Sequence, residues 1–386
     1  MPILYNLGCK LNQYEGNALC SAFGDWAQVV IVNTCCVTRE AEIKSQRRLR
    51  HARKKYPGLK LVATGCACLL HPEKFAAADQ IISLPDRNKL IDHSFPKPER
   101  SRYFLKIQDG CTEPCTYCIV PRVRPKLESK DIPDILREIA WARENSFGEV
   151  VLVGANIGLY GIGKDRGLPD LIRALTPVGA GLRVRLSSIE PRFLTPELIS
   201  ALVRLPVCRH FHIPIQSADD SVLKMMGRRD DQNALSQAID RVAAAFPQAA
   251  IGADIIVGFP AEDETAFRRT YEFVQEKPFT HLHVFPYSPR PGTTAEVLGD
   301  PVPAAVKKER RLRLQNLIHE KNLAFRRALT GQILDAVVER NSLGEMSALT
   351  DNYLRIRIAE PFPSGARIKV KITAVEPHVT TGTVEK

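Results

Sequence analysis

At 386 residues the chain is too long for one ordinary domain, and a 44% hydrophobic share with 25% charged residues excludes wholesale disorder. The formal net charge of +11 is unevenly placed: residues 39–60 carry nine Lys/Arg against two Glu, and residues 303–330 carry eight against two. Two basic helices on a near-neutral body look like the footprint of an anionic partner, the other reading being two solvated helix faces, while the lack of a signal-peptide pattern or membrane-length apolar stretch leads us to expect a cytoplasmic protein without membrane contact.

Residues 1–95 read as a small α/β domain. Short apolar runs (Ile3-Leu4-Tyr5, Val29-Val30-Ile31-Val32, Leu61-Val62-Ala63, Gln80-Ile81-Ile82) alternate with helix-like stretches, which implies a parallel sheet. The first three runs end on Gly8-Cys9, Thr34-Cys35 and Gly65-Cys66. Strand carboxyl ends gather at one sheet edge, so these cysteines can meet despite their separation in sequence. Pro96–Arg100 is a stiff polar linker. Residues 100–329 then hold six apolar runs, at 103–107, 149–153, 183–186, 210–215, 253–257 and 281–285, separated by amphipathic stretches. Six β/α repeats predict a partial barrel of parallel strands, with functional residues on the loops after the strands. A long helix with Leu314, Leu317, Ile318 and Phe325 at helical spacing closes this part, and Gly331 stops it. From 330 to 386, alternating segments such as Arg355-Ile356-Arg357 and Lys369-Val370-Lys371, punctuated by Asn341–Gly344 and Pro363–Gly365, predict a small antiparallel β-barrel.

Ten cysteines in a chain read as cytoplasmic point to metal or redox work rather than to disulfides. Cys20 and Cys208 lie in apolar surroundings and read as buried small hydrophobes. Cys111, Cys115 and Cys118 form a Cys-x3-Cys-x2-Cys loop after the first barrel strand. Three thiolates on one tight loop can hold three irons of a cubane cluster and leave the fourth open to an exogenous group. Tyr117 would lay an aromatic face over that loop. A zinc site is the alternative there, but it needs a fourth ligand that the loop lacks. In the first domain Cys36 and Cys68 compete with Cys35 and Cys66, and a four-thiolate zinc site is conceivable among them. Asn156, Glu190 and Gln216 follow successive barrel strands and are candidate cofactor contacts, and Gly154 and Gly258 permit close backbone approach.

The Cys111–Cys118 loop resembles the radical S-adenosylmethionine (SAM) signature. The phrases Gly8-Cys9-Lys10-Leu11-Asn12-Gln13-Tyr14-Glu15, Asn33-Thr34-Cys35, Thr64-Gly65-Cys66, His212-Ile213-Pro214-Ile215-Gln216, Asp254-Ile255-Ile256-Val257-Gly258 and His283-Val284-Phe285-Pro286 are together similar to the radical SAM methylthiotransferase family. The first most resembles the branch acting on threonylcarbamoyladenosine of transfer RNA. The resemblance implies two 4Fe-4S clusters, one held by Cys111, Cys115 and Cys118 and binding SAM, the other held by Cys9, Cys35 and Cys66 and delivering sulfur. It also implies a radical attack on carbon 2 of the adenosine next to the anticodon (position 37), an electron donor such as a flavodoxin or ferredoxin, and a sulfur source. The C-terminal barrel resembles the TRAM domain, an RNA-binding module, with Tyr353 as a base-stacking candidate. Lys307, Lys308, Arg310, Arg311 and Arg313 are the expected grip on tRNA phosphates. One departure stands out: Arg124-Pro125 replaces the family's Arg-Gly turn, and proline cannot take glycine's positive φ. The competing readings are the branch acting on isopentenyladenosine, the sister enzyme acting on a ribosomal-protein aspartate, and a non-catalytic iron–sulfur or zinc RNA-binding protein.

Overall fold

The computed structural model describes residues 2–23, 28–91, 95–96, 101–178, 181–340 and 346–385. Strands β1 (Ile3–Asn6), β2 (Val29–Thr34), β3 (Lys60–Gly65) and β4 (Gln80–Ile81) form a four-stranded parallel sheet in chain order. Helices α1 (Lys10–Phe23), α2 (Arg39–Lys55), α3 (Cys66–Leu70) and α4 (Leu84–Ile91) accompany it. β2 is buried along its whole length, which is why it reads as an uninterrupted apolar run. Helix α2 starts where Thr38 can cap it, the hydroxyl accepting from the Ala41 amide at 3.1 Å.

The next part begins with β5 (Tyr103–Lys106) and a small ribbon of β6 (Gln108–Asp109) and β7 (Glu128–Ser129), which brackets the Cys111–Cys118 loop and α5 (Val120–Val123). Then come α6 (Ile132–Glu144), β8 (Glu149–Val153), α7 (Leu168–Leu175), β9 (Arg183–Leu186), α8 (Pro196–Val203), β10 (His210–His212), α9 (Asp220–Met225), α10 (Gln232–Ala245), β11 (Ala250–Val257), α11 (Glu264–Glu276) and β12 (Phe279–Pro286). Strands β5, β8 and β9 pair in parallel, as do β10, β11 and β12, and a parallel bridge between Val184 and Val207 joins the two sets. The result is the expected six-stranded open barrel.

Alternation along these strands sorts their side chains. Tyr103, Leu105, Val150, Leu152, Val184, Phe211, Ile251 and Ile255 share one large core with the outer helices. The intervening residues face the lumen. On one side Phe104, Val151 and Val153 pack against Tyr14 of α1, so the first domain lies across the open face of the barrel. On the other side the lumen residues are polar: Arg183, Arg185, His210, His212, Asp254, His281 and His283.

Helix α12 (Ala304–Ala328) runs to Gly331, whose φ of +82° ends it at little cost for a residue without Cβ. Strands β13 (Ile333–Arg340), β14 (Met346–Thr350), β15 (Arg355–Arg357), β16 (Arg367–Val375) and β17 (Thr380–Glu385) close a barrel in the order β13-β14-β15-β17-β16. The expected barrel is present with one correction: β15 meets β17 in parallel, so closure is not wholly antiparallel. This barrel docks under the amino ends of the central strands. Arg183 reaches the Asp335 and Leu349 carbonyls, Arg185 those of Thr350 and Asp351, and buried Glu149 holds both guanidiniums at 2.7 to 3.0 Å. Residues 97–100 of the expected linker and the turn at Asn341–Gly344 lie outside the described residues. Among the described residues no helix is long and apolar enough to cross a membrane.

Candidate active site

Two sets of thiols occupy neighbouring places at the carboxyl ends of two sheets. In the first domain Cys9, Cys35 and Cys66 follow β1, β2 and β3 directly. Gly8 has φ of +93°, and a Cβ there would stand 2.8 Å from Cys35 Sγ, so only glycine lets the chain turn this close to the second thiol. Burial pushes Cys35 up to about 12, and the nearness of Cys9 and Cys66 adds to it. Cys66 differs. The Cys36 thiol donates to its sulfur and the Arg124 guanidinium lies against it, which outweighs burial and holds Cys66 down to about 6. Cys36 therefore lies beside this trio as a donor to Cys66. The Cys68 thiol turns away to the Gly65 carbonyl at 3.3 Å.

In the barrel, the Cys111–Cys118 loop is pinned at both ends. Gly110 has φ of +79°, and a Cβ there would lie 1.9 Å from the Lys126 carbonyl across the ribbon. Thr116 binds the ends of α9 through its amide to Met226 O and its hydroxyl to Met225 O, each at 2.9 Å. Burial pushes Cys111 up to about 11 and Cys118 up to about 12. Arg228 points at Cys115 Sγ from 3.7 Å and pairs with Glu190 at 3.0 Å. Arg192 bridges Glu190 and Glu113. Of the expected cofactor contacts, Glu190 and Tyr117 thus sit at this loop, close enough to Cys115 and Cys118 to feel their charge. Asn156 is buried and caps a short turn by accepting from the Gly158 amide, while its own amide binds Gln108 Oε1 at 2.9 Å. Gln216 stands in the segment after β10, bridged to Ile255 of β11, with φ of +67°. Gly154 is approached by Gln108, and Gly258 is approached by the Lys307 stem, so these two glycines make room for protein side chains.

One residue joins the two sets. Arg124 follows the radical loop, and its carbonyl accepts from the Cys111 amide at 3.0 Å. Its guanidinium makes a two-toothed pair with Glu15 of α1 at 2.9 and 2.7 Å, binds Asp109 at 2.6 Å, and also touches Cys66. Arg87 and Lys106 add 2.6 and 2.9 Å contacts to the same Glu15. Burial would raise the Glu15 carboxyl, but these cations outweigh it and hold it well below the usual range. The sequence marked Arg124 only as a departure from a glycine-type turn.

The lumen groups were likewise not singled out by sequence. Asp254 Oδ1 accepts from His212 Nε2 at 3.0 Å and from His283 Nδ1 at 3.1 Å. Their ligand atoms all lie within 4.8 Å, a spacing a cation could bridge, although the two rings already satisfy the carboxylate. Gly252 makes room for His281, whose Nε2 would be 1.9 Å from a Cβ there. Burial first, then the neighbouring histidines, lowers His281 to about 3.

The expected phosphate grip needs correction. Lys307 and Arg310 are each only 5% exposed. Lys307 donates to the Tyr287 carbonyl and pairs with Asp300, and Arg310 pairs with Glu262 at 2.8 Å. Arg313 is tied to Glu264, leaving Lys308 exposed and Arg311 half-buried. Tyr353 is not a free stacking platform, because its ring lies on His210 at 4.0 Å beneath the barrel. On α2, Lys44, Arg47, Arg50 and Lys54 face outward and make no ion pair among the described residues, and Lys308 of α12 and Arg357, Lys369 and Lys371 of the C-terminal barrel are likewise exposed.

Residues 105–274 match the radical SAM superfamily, and residues 3–84 match an uncharacterized protein family, UPF0004. The chain is 31% identical to the threonylcarbamoyladenosine tRNA methylthiotransferase MtaB of Thermotoga maritima, over 90% of this chain and 89% of that protein. It is 32% identical to a tRNA-2-methylthio-N(6)-dimethylallyladenosine synthase of Dehalococcoides mccartyi, over 97% and 96%. Among solved structures, the radical SAM methyltransferase TsrM of Kitasatospora setae, with tryptophan and a SAM analogue bound, superposes with a TM-score of 0.59 at 10% identity, over 77% of this chain and 75% of that one, a likeness of fold. Identity of this extent spans the thiol-bearing sheet edge, the radical loop and the C-terminal barrel alike, and the chain belongs to the radical SAM methylthiotransferase family.

Proposed function

We propose that this protein converts threonylcarbamoyladenosine at position 37 of tRNA to its 2-methylthio derivative. The observation that supports it most is the pairing of two three-thiol sets, one at each sheet edge, through the single buried residue Arg124. At Cys111, Cys115 and Cys118, three convergent thiols with no fourth thiol on the loop suit a cubane cluster with one open iron better than closed tetrahedral zinc, whereas at the first-domain trio, where Cys36 lies beside Cys66, the cluster reading leans on the family. Cys111, Cys115 and Cys118 would hold the SAM-binding cluster and Cys9, Cys35 and Cys66 the auxiliary one. Bound there, cluster and SAM supply the one-electron chemistry that breaks an unactivated aromatic C–H, which acid–base side chains cannot do. Arg228 and Glu190, paired beside Cys115, present opposite charges to a ligand that carries both an ammonium and a carboxylate. The division into 1–95, 100–329 and 330–386 assigns the auxiliary thiols, the radical loop and an RNA-binding barrel to separate units. An electron donor such as a flavodoxin or ferredoxin, a sulfur source and a second SAM as methyl donor would complete the reaction.

The deciding assay offers the enzyme two anticodon stem-loops, one with threonylcarbamoyladenosine and one with isopentenyladenosine. Methylthiolation of the first alone is expected. Modification of the second alone would move the protein to the branch of the Dehalococcoides relative, and modification of neither would favour a protein substrate.

Replacing Cys9, Cys35 or Cys66 with alanine is expected to abolish methylthiolation and leave SAM cleavage intact, while Cys36→Ala and Cys68→Ala stay active. Product analysis beside a 5′-deoxyadenosine assay reads both. Loss of the auxiliary cluster in Cys36→Ala with its retention in Cys35→Ala would reverse the ligand assignment.

Helix α2 is the better phosphate surface. Exchanging Lys44, Arg47, Arg50 and Lys54 for glutamate should weaken tRNA binding for all sequences and make its dependence on salt shallower, because each lost phosphate contact removes about one released counterion. The same exchange at Lys307 and Arg310 should instead lower the melting temperature, since their partners Asp300 and Glu262 would be left facing like charge.

A further inference from the structure

Helix α9 ends on a glycine. Gly227 has φ of +68°, its amide donates to the Lys224 carbonyl at 3.0 Å, and the amide of Arg228 donates to the Leu223 carbonyl at 2.9 Å. This pair of bonds is a left-handed helix stop, which a residue without Cβ forms at little cost. Glycine is needed there for a second reason. A Cβ would stand 2.3 Å from the Pro114 carbonyl, inside the Cys111–Cys118 loop. Helix end and loop thus close on each other, and the Thr116 bonds to Met225 and Met226 hold them together. Arg228 comes directly after this contact, and its side chain lies against the loop with 4% of its surface exposed.

The guanidinium Nη1 donates to Glu190 Oε1 at 3.0 Å and to Cys115 Sγ at 3.7 Å, and Nη2 donates to the Pro214 carbonyl at 3.2 Å. Nη1 carries two N–H groups, so the carboxylate and the sulfur can each take one. Glu190 and Pro214 fix the fork, and the fork aims the remaining N–H at the sulfur. Glu190 also offsets much of the guanidinium's net charge, so the sulfur gains chiefly from the directed bond. Arg192 closes the ring on the far side, joining Glu190 at 3.3 Å to Glu113 at 2.7 Å, and reaches no sulfur among the described residues. Cys118 Sγ accepts from the Val120 amide at 3.4 Å, a main-chain donor that substitution leaves in place. Arg228 is a charged side-chain donor that substitution can remove.

Hydrogen bonds to the ligand sulfurs of an iron–sulfur cluster stabilise the state with more negative charge, which is the reduced one. We propose that Arg228 is a positioning residue for the radical chemistry, whose bond to Cys115 raises the reduction potential of the cluster that Cys111, Cys115 and Cys118 would hold. This rests on the cluster assignment above and adds to it the residue that sets how readily that cluster is reduced. The step concerned is the transfer of one electron from a low-potential one-electron donor, such as a reduced flavodoxin, to the oxidised cluster. The donor is oxidised by one electron and the cluster reduced by one. No bond forms or breaks and no proton moves, since a guanidinium keeps its proton throughout.

The test uses the full chain loaded with iron and sulfide, with Cys9, Cys35 and Cys66 replaced by alanine so that a single cluster is observed. The cluster is poised at set potentials with dithionite and mediators, and its reduced form is read by electron paramagnetic resonance. Arg228→Met should lower the midpoint by about 59 mV, a tenfold loss in a one-electron equilibrium. Arg228→Lys keeps a cation without the fork and should recover part of the loss. Arg192→Met removes a neighbouring cation that has no sulfur contact, and should move the midpoint by less than half as much. A second measurement needs no substitution at Arg228: with heavy-nitrogen arginine incorporated, pulsed resonance of the reduced cluster should show coupling to a labelled nitrogen. That coupling decides the matter if Arg228→Met fails to hold its cluster. An unchanged midpoint in Arg228→Met at full iron content, an equal drop in Arg192→Met, or no labelled-nitrogen coupling would each overturn the role of Arg228 and leave the cluster assignment standing. Protein that takes up zinc and no acid-labile sulfide would overturn the cluster assignment, and this role with it.

Discussion

Replacing Cys111, Cys115 and Cys118 together with alanine is expected to remove about half of the iron and acid-labile sulfide from protein prepared without oxygen, because each cluster is held by its own thiolates. SAM cleavage should fall to background, and with it all methylthiolation. The three thiols stand on one loop, tied to Arg124 through the Cys111 amide and to the end of α9 through Thr116, and none of them belongs to the first-domain trio, which keeps its own ligands. Iron, sulfide and 5′-deoxyadenosine assays on the same preparation read the result. One zinc per chain with no sulfide, or unchanged iron after the triple replacement, would refute the two-cluster reading.

The second large effect is expected at Arg124. In Arg124→Met, Glu15 and Asp109 keep their burial but lose the guanidinium that binds both. Breaking a buried pair from one side costs about 3–5 kcal/mol, because the remaining charge stays desolvated. Lys106 and Arg87 still touch Glu15, which places the expected loss toward the lower end of that range. Arg124→Lys should recover part of it, since an ammonium cannot make the two-toothed contact. Acid dependence gives a second signature. Burial alone would raise the Asp109 and Glu15 carboxyls, but Arg124 and its neighbours hold both below their ordinary values. A depressed carboxyl contributes stability that is present above its unfolded value of about 4 and is lost as pH falls through the folded value. Arg124→Met should therefore flatten the acid limb of the stability curve. Denaturant melts of the apoprotein between pH 3 and pH 7, roughly the carboxylate range and above, would show it. An unchanged acid limb would mean that Glu15 and Asp109 do not depend on Arg124.

The arrangement also explains why a proline is tolerated where a glycine-type turn was expected. Arg124 ends α5, and the ribbon of β6 and β7 carries the chain back, so positive φ is needed at Gly110 on the opposite strand and not at Pro125.

Much of this protein is legible in its sequence because local patterns are physically sufficient for it. Short β-branched apolar runs such as Val29–Val32 favour strands buried on both faces, and their alternation with helical stretches favours a parallel sheet whose carboxyl ends share an edge. That alone brings Cys9, Cys35 and Cys66 to one place. The Cys111–Cys118 spacing is a property of one loop and needs no tertiary information. What the sequence could not decide depends on which surfaces meet. The basic stretch of α12 reads like that of α2, yet Lys307 and Arg310 turn inward because Asp300, Glu262 and the Tyr287 carbonyl wait for them across the fold. Tyr353 reads as a base-stacking ring and is instead pressed onto His210, because the C-terminal barrel docks beneath the strands. Arg124, Glu15 and Cys66 come together from the end of α5, from α1 and from the end of β3, and the histidines of the lumen from β10 and β12, elements far apart in the chain. Charge pairing and burial are set by these long-range contacts, so only the folded chain decides which cations are spent on structure and which are left for a substrate.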